Sequence, residues 1–325
     1  MSLDADYIVD RRRMRRKLTF WRVFAVALVA IAVIGTALAL RSPNGLASSP
    51  GPYVARVKIE GLLRSDRDRV EALERLGRSS ARAVIVHINS PGGTTGGSEQ
   101  LHDALKRLKE QKPMVVVVEG VAASGGYIAA LASDHIVAQS SALIGSIGVL
   151  FQYPNLTDLM KTLGVKVEEI KSSPLKAAPS MFEPASPEAR AAVEAIVMDS
   201  YDWFRSLVRD NRKIEGVELA RVTDGRVFTG RQGIDLKLVD ELGDEKQALA
   251  WLVKEKGIDP KIRVRNYELE PRLSDLPFLH VAAAVTLEAV GLKTWAKHIE
   301  GWGTVRAIER LNLDGLLALW HPSIN

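Results

Sequence analysis

Past residue 52 the chain alternates short apolar runs with stretches of helical periodicity, the pattern of an α/β fold. Tyr53–Ile59, Ala83–Ile88, Met114–Val118, His135–Gln139 and Val165–Ile170 read as strands. The consecutive valines of 115–118 mark a strand buried on both faces. Arg67–Leu76, Gly97–Gln111, Ala122–Ala132 and Asn155–Leu163 read as helices. Residues 172–187 hold Pro174, Pro179, Pro184 and Pro187, which no helix tolerates, so they predict a loop. It ends where Ser186 caps a helix with Pro187 at its first position. That helix spans about 187–212 and carries Val193, Ile196, Val197 and Phe204 on an apolar stripe. Thr229-Gly230-Arg231-Gln232 fits a capping box opening a short helix, and Asp244–Lys254 is a further helix. Residues 257–325 hold Trp295, Trp302 and Trp320 in amphipathic stretches that predict two packing helices. Contact with lipid or a neighbouring subunit is the alternative there.

Charge changes the picture at the N-terminus. The chain carries a net +5, but residues 1–22 hold seven bases against three acids. The rest holds 37 bases against 36 acids, which leaves no basic face for DNA or RNA. The basic tail precedes Val23–Leu40, an uncharged run about 27 Å long as a helix, enough to span a bilayer core. By the positive-inside rule residues 1–22 stay in the cytoplasm and the chain beyond Arg41 lies outside. Ala37-Leu38-Ala39 leaves cleavage of this segment as a signal peptide open. Residues 41–52 form a Pro/Gly/Ser linker. The chain has no cysteine, which excludes disulfides, thiolate zinc sites and a cysteine nucleophile.

Two predicted strands end in glycine pairs, Asn89-Ser90-Pro91-Gly92-Gly93 and Ala122-Ala123-Ser124-Gly125-Gly126. Glycines there let backbone N–H groups face a ligand, and the amides of Gly125 and of Gly92 or Gly93 suit an oxyanion hole. Taken singly, each pair also reads as a tight turn. A serine nucleophile needs a base. Of the histidines His87, His102, His135, His280, His298 and His321, none has an evident acidic orienter. Lysine serves only when burial or a nearby cation lowers its pKa. Lys176 lies in an apolar, almost uncharged loop, Ser173-Pro174-Leu175-Lys176-Ala177-Ala178-Pro179; a solvated loop lysine is the plainer reading. No His/Asp/Glu cluster has metal-ligand spacing, and Gly92–Gly97 lacks the lysine of a P-loop. No cofactor is expected.

With these residues in place, the sequence resembles the signal peptide peptidase A (protease IV) family in its short single-domain form. The matching pieces are Ile88–Gly93, Ala122–Tyr127, Gly145-Ser146-Ile147-Gly148-Val149, Lys176, Asp224–Gln232 and Leu238–Gly243, in family order over roughly 53–255. The resemblance implies a crotonase/Clp-like fold of repeated ββα units behind one N-terminal transmembrane helix. It implies a Ser-Lys dyad: Ser124 as nucleophile, Lys176 as general base, Ser146 bonding the lysine amine, and Gly93 and Gly125 as oxyanion donors. It also implies a ring or dome homo-oligomer in which the lysine comes from an adjacent subunit. Pro174-Leu175 and Ala177 depart from the family's usual surroundings of the lysine, which makes Lys171 the fallback base. The expected organisation is a tail (1–22), an anchor (23–40), a linker (41–52), a peptidase domain (53–256) and a helical extension (257–325). The expected substrates are signal-peptide remnants and other unfolded hydrophobic peptides, cleaved at the outer face of the cytoplasmic membrane. A crotonase-type acyl-CoA enzyme, a non-catalytic membrane scaffold and a classical signal peptidase are the alternatives; the Ser-x-Met-x-Pro pattern of the last is absent.

Overall fold

The computed structural model describes residues 51–269, the strand 316–319 and helical positions 17, 20–22, 24 and 26. The chain divides into two units, Gly51–Glu270 with Thr304–Asn325, and Met1–Pro50 with Pro271–Gly303. Apart from positions 24 and 26, the expected anchor lies outside the described residues. Among the described residues no helix is long and apolar enough to cross a membrane.

The first unit is built on a largely parallel sheet. Strands β1 (Tyr53–Leu63), β2 (Ala81–Thr94), β3 (Met114–Ala123) and β4 (His135–Ala138) run parallel as neighbours. Three short strands follow: β5 (Leu143–Gly145), β6 (Leu150–Phe151) and β7 (Val227–Thr229). The last three are β8 (Glu241–Leu242), β9 (Arg263–Asn266) and β10 (Leu316–Leu319). The helices are α1 (Arg67–Gly77), α2 (Thr95–Gln111), α3 (Gly125–Ala130) and α4 (Thr157–Thr162), then α5 (Pro187–Arg212), α6 (Gly216–Val222), α7 (Gly230–Asp235) and α8 (Glu245–Lys256).

The valine run explains the layering. Val116 and Val118 join the core that holds Leu73 and Leu76 of α1 and Leu101, Leu105 and Leu108 of α2. Val115 and Val117 join a second core with Ile85, Val137, and Ala248 and Leu252 of α8. Side chains alternate across a strand, so β3 is covered by helices on both faces. Each buried valine contributes roughly 2 kcal/mol. Helix starts follow their caps. Asp66 accepts from Arg69 N–H, Thr94 from Gly97 N–H and Ser186 from Ala189 N–H. Thr229 and Asp244 close capping boxes with Gln232 and Gln247.

Three expectations need correcting. Val165–Ile170 forms no strand. Its alternating residues have no partner edge among the described strands, and Val165, Val167 and Ile170 stay exposed, Ile170 fully. Among its described residues the 257–325 extension holds two strands and no helix: β9 pairs with β1 and β10 with β2 and β6. Sheet edges open at those places satisfy more backbone groups than an isolated amphipathic turn would. The peptidase sheet therefore runs past the expected boundary at 256. The other Trp-bearing stretches of that extension lie outside the described residues.

Helix α5 docks through its second half, where Phe204 and Val208 are buried, while Ile196 and Met198 in its first half are exposed. Its end is tied down by Arg212, which pairs with Asp240 through two hydrogen bonds of 3.0 and 2.7 Å and donates to Lys237 O. Asp240 Oδ2 also accepts Ile136 N–H at 2.8 Å. Burial works against the Asp240 carboxylate, but the hydrogen bonds and charge of Arg212 outweigh it and hold its pKa below the usual aspartate value. A depressed folded pKa contributes stability that is present above the ordinary value near 4 and is lost as pH falls through the folded value. Asp240→Asn is expected to lower stability at pH 7 by roughly 1.5–3 kcal/mol and by less at pH 3. Denaturant melts at the two pH values check this; an equal loss at both would contradict it.

Candidate active site

The site forms at the carboxyl ends of β2, β3 and β5, where parallel sheets usually bind ligands. The register places Ser90 beside Ala122, and Ala123 beside Gly145. Ser124 is the next residue after β3 and the N-cap of α3. The segments 90–93, 124–126 and 145–146 therefore lie side by side.

Ser124 is buried, with 1% of its surface exposed, and adopts φ 52°, ψ −117°. No residue with a Cβ enters that region without strain, and the cost is about 1–3 kcal/mol. The surroundings impose it. Ser124 N–H donates to Gly145 O at 2.7 Å, and Ser124 O accepts from Tyr127 and Ile128 N–H. The chain thus turns from strand to helix within one residue, and Gly125 N–H, at the first helical position, has no acceptor inside the helix. A Cβ on Gly126 would lie 2.5 Å from Ser90 O, so only glycine lets α3 seat against β2.

On the other side, Gly93 is closed in by Leu63, and Gly92 has φ 103°. Ser90 is fully buried; its Oγ donates to Gly61 O at 2.7 Å and accepts Gly92 N–H at 3.1 Å. This residue holds the glycine turn, a role sequence reasoning missed. The available signal was a serine just before a Pro-Gly pair, a common turn-stabilising arrangement. Ser146 has φ 49°, and its N–H donates to Arg226 O at 2.8 Å. It is set by β7, which pairs antiparallel with β5 and brings Val227 opposite Gly145.

Lys176 makes no hydrogen bond to this group within one chain. It is exposed in the 172–187 loop, in a turn closed by Lys176 N–H to Ser173 O at 3.1 Å. Its amine makes no hydrogen bond or ion pair with Ser124 or any other described residue. Lys171 is held at 2.6 Å from Glu169 and 2.7 Å from Glu183. Its hydrogen bonds to the two carboxylates, Glu169 foremost, raise its pKa, the wrong direction for a general base.

The histidines correct one expectation. Two of them do have acidic neighbours: His87 Nε2 lies 2.7 Å from Glu245, and His135 Nε2 3.3 Å from Glu241. Neither bonds a serine. His87 sits inside β2 opposite Val117, and His135 stacks on Trp251. His102 Nδ1 bonds Ile128 O at 2.8 Å, and burial lowers its pKa. His280, His298 and His321 lie outside the described residues.

The peptidase family S49 profile matches residues 106–259. A putative protease of Synechocystis sp. is 35% identical over 209 residues, 64% of this chain and 76% of that protein. The chain belongs to peptidase family S49. It is a serine protease. A putative signal peptide peptidase SppA of Enterococcus faecium is 33% identical over 180 residues, 55% of this chain and 52% of that one. The chain thus spans about three quarters of the cyanobacterial relative and about half of the enterococcal one. Among solved structures, a mutant of the 1510-N membrane-bound stomatin-specific protease aligns with 67% of this chain and 98% of its own, at TM-score 0.43 and 16% identity.

Proposed function

We propose that this S49 protease is a membrane-anchored endopeptidase with a Ser-Lys dyad, Ser124 as nucleophile and Lys176 of an adjacent copy as general base. The observation that carries the reading is the pairing of a strained, buried serine between two glycine turns with an exposed, unpartnered lysine on a separate loop. The surroundings of the lysine fit an interface between copies in a ring or dome. Leu159, Leu163, Val165, Val167, Ile170 and Leu175, on the segment that leads to it, are all exposed, as apolar residues that meet a partner are.

In the proposed reaction, neutral Lys176 removes the Ser124 hydroxyl proton as Oγ attacks a peptide carbonyl. The amides of Gly93 and Gly125 hold the oxyanion. The lysine returns its proton to the leaving amine, and an acyl-enzyme remains. Lys176 then takes a proton from water, hydroxide attacks the ester, and Ser124 recovers its proton. Ser146 bonds the lysine amine and keeps it aimed. No cofactor takes part. The proposed substrates are signal-peptide remnants and other unfolded hydrophobic peptides, taken at the outer face of the cytoplasmic membrane within a crotonase/Clp-like fold.

The test is subunit mixing with the full chain in detergent. Ser124→Ala and Lys176→Ala are each expected to be inactive on an unfolded hydrophobic peptide. Denatured and refolded together in equal amounts, they are expected to recover about a quarter of wild-type activity, the share of sites that pair an intact serine with an intact neighbouring lysine. No recovery would place both groups on one chain. Full activity of Lys176→Ala would remove this lysine as the base.

A further inference from the structure

Consecutive glycines give a chain its widest choice of φ and ψ, whereas a donor that stabilises an oxyanion has to be fixed before the reaction begins. Gly92-Gly93 therefore needs a restraint, and Ser90 supplies one. Its hydroxyl donates to Gly61 O at 2.7 Å, which directs the proton that way and leaves the oxygen to accept Gly92 N–H at 3.1 Å. Gly61, at φ 72°, lies where the register of β1 on β2 breaks, between Glu60 and Leu62. The register of β2 on β3 breaks at the same place, between Ile88 and Ser90. There Asn89 Oδ1 accepts Val121 N–H at 3.3 Å. Past these breaks Leu62 pairs with Gly92, and Ser90 with Ala122 just ahead of Ser124.

Ser90 lies against the second glycine turn as well. Its carbonyl oxygen is the atom that a Cβ on Gly126 would strike. Its backbone thus seats the start of α3 while its side chain holds Gly92. The hydroxyl engages the Gly92 amide, so of the two amides that sequence spacing offers, that of Gly93 is left for the oxyanion. Ser90 and Gly92 are both buried. A Gly92 N–H deprived of the hydroxyl must turn to find another acceptor. The peptide planes that carry the Gly92 and Gly93 amides share the Gly92 Cα, so this turn swings the Gly93 amide too. Misplacement by about 1 Å at a reacting centre costs up to about 10²-fold in rate.

We propose that Ser90 is a positioning residue for the hydrolysis: acting through Gly92, it sets the direction of Gly93 N–H without touching substrate. The inference rests on the reading of Ser124 as nucleophile and Gly93 as oxyanion donor. A serine that only stabilised a turn would, on removal, lower stability and leave the turnover of each folded molecule unchanged.

The test uses the full chain in detergent. Ser90→Ala is expected to lower kcat by about 10–100-fold, with KM within about twofold of wild type, because the amide acts on the transition state. Unchanged kcat in folded protein would overturn the proposal. A spectroscopic readout follows the amide itself. Cinnamoyl imidazole acylates a serine nucleophile: Oγ bonds the acyl carbon, and the imidazole leaves with the proton. The Raman stretch of the resulting ester carbonyl reports the pull of the oxyanion donors on its oxygen. Ser90→Ala is expected to raise that frequency, and an equal frequency in the two proteins would count against the proposal. Should Ser90→Ala fail to fold, Ser90→Cys replaces it in the kinetic arm. It fills the buried site with a group that hydrogen-bonds weakly. A loss in kcat at constant KM is again expected, and unchanged kcat again overturns the proposal. A wild-type chain never acylated at Ser124 refutes the nucleophile reading, and this inference with it. Acylation at Ser124 with kcat and stretch alike in wild type and variant refutes the inference alone.

Discussion

Replacing Ser124 with glycine is expected to abolish peptide hydrolysis and at the same time make the protein more stable. The two effects have separate origins. Loss of the hydroxyl removes the proposed nucleophile, which in serine proteases lowers the rate by at least ~10⁴-fold. The backbone gain comes from φ 52°, ψ −117°, which strains any residue with a Cβ by about 1–3 kcal/mol. Glycine enters that region freely, at an entropic cost of roughly 0.5–1 kcal/mol in the unfolded chain. The net gain of about 1 kcal/mol should raise the melting temperature by about 2–4 °C. Ser124→Ala separates the two contributions: it is equally inactive but keeps the Cβ and the strain, so its melting temperature should stay at or below wild type. Calorimetry of the three proteins checks this. If glycine and alanine melt together, the turn is not under strain. If either retains hydrolysis, Ser124 is not the nucleophile. A strained backbone at a buried serine is the signature of a position kept for chemistry at the expense of stability.

Much of the central sheet is legible in the sequence. The valine run gave away a strand buried on both faces because its hydrophobicity has no alternation, and Ser186-Pro187, Thr229–Gln232 and Asp244–Gln247 opened helices where their caps predicted. Short strands were not legible. β5, β6, β7 and β8 span two or three residues, too few for a period-2 pattern, and exist because a neighbouring edge accepts them. The same physics misled in the opposite direction at Val165–Ile170, where the pattern is right and the partner edge is missing. Leu316–Leu319 carries no alternation, so its sequence could not distinguish a helix face from a strand; the open edge at Gly92–Thr94 decides it. At the candidate site, the expectations for Ser124, Gly93 and Gly125 came from glycines after strands together with the family resemblance, and that for Ser146 from the resemblance alone. The strain at Ser124 and the isolation of Lys176 depend on register and on loop path, which spacing along the chain does not encode. The carboxylates beside His87 and His135 lie 158 and 106 residues away in sequence, out of reach of local reasoning.

The glycine-rich run 92–97 supplies the sharpest stability contrast, because its glycines serve different ends. A Cβ on Gly93 would sit 1.8 Å from Leu63 O, where real contacts essentially never fall below 3.0 Å. The obstacle is the backbone of a paired strand, which cannot swing aside as a side chain would. Overpacking that side chains can absorb costs about 1–3 kcal/mol; here β1 and β2 must part, so Gly93→Ala is expected to cost about 3 kcal/mol or more. Any folded fraction should lose roughly 10²–10³-fold in turnover as the Gly93 amide leaves its place. Gly97 meets Arg64 and Ser65 backbone at 2.5–2.7 Å and should behave alike in stability. Gly96, between them in sequence, faces open space on the first turn of α2. Gly96→Ala should therefore stabilise by up to about 1 kcal/mol through helix propensity alone, with turnover unchanged. Urea melts of the three variants, with peptide hydrolysis measured on the folded protein, check the set. A phosphate-cradling loop would need all of these glycines for the same reason, open amides around an anion, and would show three losses of similar size. Opposite signs at Gly93 and Gly96 would instead mean that the run is a close crossing of β1 and β2 beside Ser124, followed by an ordinary helix start.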